Sequence, residues 1–171
     1  MSCEKWIPPP RDWVKCNSDG ARQGDRFQSG TGWVLRKKEG AVLWMGAKAL
    51  TRTRSALEVE LEAMRWAILT MTRFKYRKMI FESLTLQVVN LIKNGEYWPA
   101  FAPTIQDIQS LLLQFQEAKV IFPSRGSNGL ADRVAKESLS YTNYDPKLYS
   151  IMPNWIKQFV MVDKLQVYND W

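Results

Sequence analysis

Apolar and polar positions alternate along the first third of the chain and then change to a helical period. Trp13-Val14-Lys15-Cys16-Asn17-Ser18-Asp19-Gly20 alternates as a strand does and ends on a turn dipeptide, Asp19-Gly20. Residues 21–32 are polar and carry Gly, Gln and Ser, which predicts a loop. Two β-rich runs, Thr31–Lys37 and Ala41–Lys48, are joined by Lys38-Glu39-Gly40, a short glycine-containing connection of the hairpin kind. Three antiparallel strands therefore open the domain.

From Ser55 to Thr72 the residues Leu57, Leu61, Met64, Ile68 and Met71 recur at spacings of four and three, which is one apolar face of a helix. Ser55 followed by Glu58 is a capping box at its start. Met79–Ser83 is too brief and too β-prone for a helix and reads as a fourth strand, and Thr85–Lys93 as a helix closed by Asn94-Gly95. Ile105, Ile108, Leu112 and Phe115 mark another helix, Ala118–Phe122 a fifth strand, and Asn128–Leu139 a last helix with Ala131, Val134 and Ala135 on its apolar side. A meander followed by βαβ-type crossovers predicts an α/β domain: a five-stranded mixed sheet, three antiparallel strands then parallel ones, flanked by helices. Trp33, Trp44, Trp66 and the Leu/Met stripe are expected in its core. Residues 1–12, with Trp6-Ile7-Pro8-Pro9-Pro10, form an extended lead-in, residues 13–140 the domain, and residues 141–171 a C-terminal arm with an apolar stretch around Trp155–Val162.

Composition narrows the chemistry. At 171 residues, 46% hydrophobic and 24% charged, the chain suits one globular domain with short extensions. No apolar run approaches the roughly 18–20 residues that span a bilayer, and Met1–Pro10 has no apolar signal-peptide centre, so an intracellular protein, nuclear or cytoplasmic, with no membrane partner is expected. The absence of histidine excludes histidine-based nucleophile systems and His-ligated zinc, and two cysteines are too few for a cysteine zinc site. Catalysis would have to use carboxylates, Lys, Tyr or a carboxylate-held metal. A formal charge of +7 permits a polyanionic partner.

Three acids fall where side chains converge at the rim of an α/β sheet: Asp19 at the end of the first strand, Glu60 near the start of the first helix, Asp132 near the start of the last. Carboxylates gathered there repel one another and call for a cation, and Mg²⁺ takes such oxygen ligands. Spacing alone equally fits solvated acids that oppose helix dipoles.

The chain resembles the ribonuclease H fold, and more narrowly the reverse-transcriptase-like ribonuclease H domains abundant in plant genomes. The matching stretches are Trp13–Gly20, Gly30–Arg36, Ala56–Ala63 with Trp66-Ala67, Phe81-Glu82-Ser83 and Asn128–Ala135, and the Pro153-Asn154-Trp155-Ile156 tail is similar to that family's ending. The resemblance implies hydrolysis of the RNA strand of RNA–DNA hybrids, with carboxylates holding two Mg²⁺ ions about 3.5–4 Å apart. It assigns Asp19, Glu60 and Asp132 as catalytic metal ligands. Asn128 matches the asparagine before the last acid, which either touches substrate or caps the helix.

The family's fourth acid is missing. Its Glu-Ser-Asp-Ser pattern here reads Glu82-Ser83-Leu84-Thr85, and leucine offers no oxygen. Glu82 projects to the same side two strand residues earlier, about 6–7 Å away. The resemblance therefore implies a ribonuclease H-like domain with an impaired metal site, or alternatively a non-catalytic nucleic-acid-binding or protein-interaction module derived from a retrotransposon. Arg125, Arg73 and Lys75 are candidate contacts to a hybrid or duplex, with Arg52, Arg54, Arg77 and Lys78 nearby in sequence. The run 73–78 reads equally as a phosphate-contacting patch or as a solvated charge run closing a helix C-terminus.

Overall fold

The computed structural model describes residues 6–24, 28–51, 53, 55–95, 98–123 and 129–169, with side chains described as far as residue 161. The strands β1 (Val14–Arg22), β2 (Ser29–Arg36) and β3 (Val42–Leu50) form the antiparallel meander. After α1 (Ala56–Phe74), β4 (Lys78–Glu82) lies parallel to β1. Two helices, α2 (Leu86–Asn94) and α3 (Ala102–Leu112), lead to β5 (Glu117–Ile121), parallel to β4, and α4 (Gly129–Ser138) follows. The chain ends with β6 (Lys147–Tyr149) and α5 (Asn154–Asn169).

The sheet has six strands in the order β5-β4-β1-β2-β3-β6, where the sequence pattern predicts five. The added strand, β6, pairs antiparallel with β3 at the edge. Three residues behind Pro146 are too few to display an alternation. The predicted loop over residues 21–32 is also shorter, because β1 runs to Arg22 and β2 begins at Ser29. Gly30, inside the predicted loop, and Gly32, already within the predicted run Thr31–Lys37, both serve a close approach in β2. A Cβ on Gly32 would stand 2.5 Å from the Ala135 nitrogen of α4. Glycine is there because a helix backbone occupies the side-chain space.

α1 is capped as its sequence predicts, with the Ser55 Oγ accepting the Glu58 N–H at 3.1 Å. It ends at Lys75, whose left-handed backbone (φ 60°) directs its N–H to the Thr72 carbonyl. One sheet face buries Cys16, Trp33, Leu35 and Phe81 against the Leu61–Met64–Ile68–Met71 side of α1 and against α2 and α3. Trp33 and Trp66 meet edge to face at 5.7 Å in this core, while Trp44 is half-buried against Phe74. The other face buries Val34, Met45 and Ala47 under Leu130, Ala131 and Val134 of α4 and Ile156 and Val160 of α5. No helix among the described residues is long and apolar enough to cross a membrane.

Replacing Gly32 by Ala is expected to cost about 1–3 kcal/mol, as overpacking against a helix backbone does. The check is a urea midpoint lowered at unchanged slope.

Candidate active site

Side chains on β1 alternate between the two faces, and this decides what reaches the rim. Asp19 stands opposite Gly32 in the ladder and so shares its α4 side. Gly20 faces α1, where an added Cβ would meet Val59 and the Glu60 peptide nitrogen. This contact carries the first turns of α1 onto the end of β1. The Gly20 N–H donates to the Glu60 Oε1 at 3.2 Å and to the Asp19 Oδ1 at 3.0 Å. Asp19 and Glu60 also stand close enough for each to bear on the other's ionisation, which favours a proton on one of them.

Burial, then the Glu60 charge and the hydrogen bond to it, and then the Asp132 charge push the Asp19 carboxyl up to about 9. Burial also raises Glu60, opposed by its hydrogen bonds from Asp19 and the Gly20 N–H. The structure thus brings all three sequence-predicted acids to one rim, half-buried and within reach of one another's fields. They do not stand as a ready-made metal cage. Among the described residues no group of three or more ligating side chains takes up a metal-holding arrangement. Asp132 is turned to an internal cation, its Oδ2 lying 2.8 Å from the Lys136 Nζ one helical turn on. Asp19 and Glu60 are the side chains whose oxygens could hold a divalent ion, with Asp132 able to join them on leaving Lys136.

The fourth place is apolar in sequence. β4 and β1 pair Glu82 with Asn17, the last pair of that register, and Leu84 follows two residues beyond the end of β4, 40% exposed. Glu82 does not make up the loss. It is 2% exposed, accepts the Asn17 Nδ2 at 2.8 Å and pairs with the Lys15 Nζ at 2.6 Å. Leu86 and Phe122 are likewise exposed, following the ends of β4 and β5.

Arg73 and Lys75 are exposed in the last turn and C-cap of α1, about 20 Å along the helix axis from Glu60. They are not part of the acidic rim. Lys78 is used between strands, 3.9 Å from Glu117. Arg52, Arg54, Arg125 and Asn128 lie outside the described residues. Sequence reasoning missed Lys136, although an acid and a lysine at i and i+4 signal such a pair. It also missed the Gly20 N–H, which carries no side-chain signal at all. Cys16 is buried and its thiol pushed up by burial, so it offers no nucleophile.

A sequence model described as reverse transcriptase-like matches residues 17–138. No curated protein matches the chain. Among solved structures, RNase H1 from the halophilic archaeon Halobacterium salinarum is similar with a TM-score of 0.68 and 22% identity, over 74% of this chain and 97% of that one. LC11-RNase H1 in complex with an RNA/DNA hybrid is similar at 0.65 and 18%, over 74% of this chain and 96% of its own. The Prototype Foamy Virus protease–reverse transcriptase matches at 0.60 and 17%, over 76% of this chain but 21% of the viral one. At these identities the likeness is one of fold.

The raised Asp19 has a definite pH signature. A carboxyl held above its unfolded pKa binds its proton more tightly in the folded state, so its contribution is full below about pH 4 and lost as pH rises toward 9. Without divalent ions, Asp19→Asn is expected to be more stable than the natural protein by about 1–2 kcal/mol at pH 8, after allowance for screening at the rim, and by less at pH 5. Urea midpoints at the two pH values check this.

Proposed function

The chain belongs to the reverse transcriptase-like family of ribonuclease H-like domains, and from that premise we propose that it binds an RNA–DNA hybrid or duplex across the Asp19–Glu60–Asp132 rim. In this reading, hydrolysis of the RNA strand is impaired by Leu84. The observation that carries it is the convergence of Asp19 and Glu60 on the Gly20 N–H, with Asp132 within reach of their charge and an exposed leucine, Leu84, just past the end of β4. Support for a nucleic-acid partner comes from the +7 charge and from two structural relatives, LC11-RNase H1 and a foamy viral protease–reverse transcriptase, each recorded in complex with an RNA/DNA hybrid.

Asp19 and Glu60 would hold one Mg²⁺, and Asp132 would join them on releasing Lys136. Bound there, the ion would supply charge neutralisation and activation of water. The chain's own contributions are distinct. The Gly20 N–H fixes the orientation of both carboxylates. Lys136 neutralises Asp132 while no ion is bound. Arg73, Lys75 and Arg77, at the far end of α1, would take backbone phosphates of a substrate lying along that helix, which positions the substrate without reading its sequence. Arg125 and Asn128 would contact it from the segment before α4. Loss of a carboxylate ligand removes several kcal/mol of transition-state stabilisation, and about 1.4 kcal/mol is a factor of ten in rate.

A second reading, a non-catalytic nucleic-acid-binding or protein-interaction module of retrotransposon descent, is favoured by the exposed Leu84, Leu86 and Phe122 at the ends of β4 and β5. One experiment separates the two. Purified protein is tested on a labelled hybrid with Mg²⁺ or Mn²⁺, beside Leu84→Asp and the double variant Leu84→Asp/Glu60→Gln. Expected are salt-dependent binding by all three and little cleavage by the natural protein. Leu84→Asp should cleave at least tenfold faster, and the second substitution should abolish that gain. Salt-independent binding, or none to hybrid or duplex, overturns the nucleic-acid reading. Binding without cleavage by Leu84→Asp favours the module.

A further inference from the structure

Four polar or charged side chains are buried together on the α4-side face of the sheet, toward the start of β1: Lys15 and Asn17 of β1, Arg36 of β2 and Glu82 of β4. None of them belongs to the acidic rim. They tie three adjacent strands, through Lys15 to Glu82 at 2.6 Å, Asn17 to Glu82 at 2.8 Å and Arg36 to the Asn17 Oδ1 at 3.5 Å. Buried cations are stabilised by electron-rich groups, carbonyl oxygens and aromatic faces, as well as by counter-charges.

The N-terminal lead-in brings them. Trp6 is only 3% exposed; its ring lies 4.1 Å from the Arg36 guanidinium and its indole N–H donates to the Asn17 Oδ1 at 3.2 Å. The Ile7 carbonyl accepts the Lys15 ammonium at 2.6 Å, while the Ile7 side chain points out, 55% exposed. Pro8-Pro9-Pro10 stiffens the segment, which lowers the entropy lost on docking. The turn from Pro10 to Trp13, with Asp12 in the left-handed region, reverses the chain into β1.

We propose that Trp6–Pro10 is an intramolecular strap, and that the Lys15–Asn17–Arg36–Glu82 cluster is its receptor, a built pocket for an indole followed by a backbone carbonyl. The strap closes the sheet face where β1 and β4 pair and holds those strands together just before Asp19 and Leu84. The folded unit therefore includes Trp6, although the family match begins at residue 17 and leaves Trp6 and Lys15 outside it. The inference does not depend on the nuclease reading.

The test uses the full chain with Trp6→Ala, Trp6→Phe and, as a control on the same segment, Ile7→Ala, read by amide hydrogen exchange and by the indole N–H proton resonances. Expected is a slowly exchanging indole N–H that disappears in Trp6→Phe. In that variant the ring remains on Arg36 but the bond to Asn17 is lost, so amides of residues 14–17 and 79–82 should exchange about tenfold faster while those of α1 and α3 are unchanged. Trp6→Ala should extend the loss, and Ile7→Ala should change nothing. If Trp6→Ala does not fold, Trp6→Phe decides. A fast-exchanging Trp6 indole, or unchanged β1 and β4 exchange in Trp6→Phe, overturns the strap.

Discussion

Two helices touch bare backbone on neighbouring strands, one from each face of the sheet, and the rest of the molecule is arranged around that constraint. Gly20 admits α1 on one side and Gly32 admits α4 on the other, each at a distance that a side chain would forbid. The first turns of both helices therefore reach the end of β1, and Glu60 and Asp132 meet Asp19 there without spanning a layer of side chains. Glycine at these positions weakens the strands locally. The long pairing of β1 with β2 and of β2 with β3 offsets that weakness.

Bringing acids so close is unfavourable, and the structure shows two ways of relieving the strain. Burial and the neighbouring acids raise the Asp19 carboxyl, which favours its protonated form, and the Gly20 N–H donates to both Asp19 and Glu60. Asp132 turns to Lys136, a cation on its own helix. A divalent ion would replace both devices at once, and neither is costly to give up. A proton exchanges with solvent, and an exposed ion pair contributes about 0–1 kcal/mol.

Glu82 has the opposite character. Its charge is deep in the sheet and matched by a lysine, an amide and, through that amide, Arg36 and Trp6. Breaking such a buried arrangement costs about 3–5 kcal/mol, so this carboxylate is bound to the scaffold and not to chemistry. Glu82 thus differs from Asp19 and Glu60 by its neighbours: those two stand half-buried at the rim of the sheet, while Glu82 is held by Lys15 and by Asn17, which in turn accepts the Trp6 indole N–H.

The meander, the helical stripe of α1, the cap at Ser55, the missing histidine and the leucine in place of a fourth acid could all be read from sequence. Each is a local matter of side-chain type and spacing, and such features need no knowledge of the partner that lies across the fold. Tertiary structure alone decided that Gly30 belongs to a strand, because the reason for a glycine there is a helix a hundred residues away. It also decided that Arg73 and Lys75 stand at the wrong end of α1 to join the acids, that the arm adds a sixth strand, and that Glu82 is already taken. Pairing and burial depend on which distant segments share a face, and in this chain Glu82 is taken by Lys15 and Asn17, residues of a strand more than sixty positions earlier in the sequence.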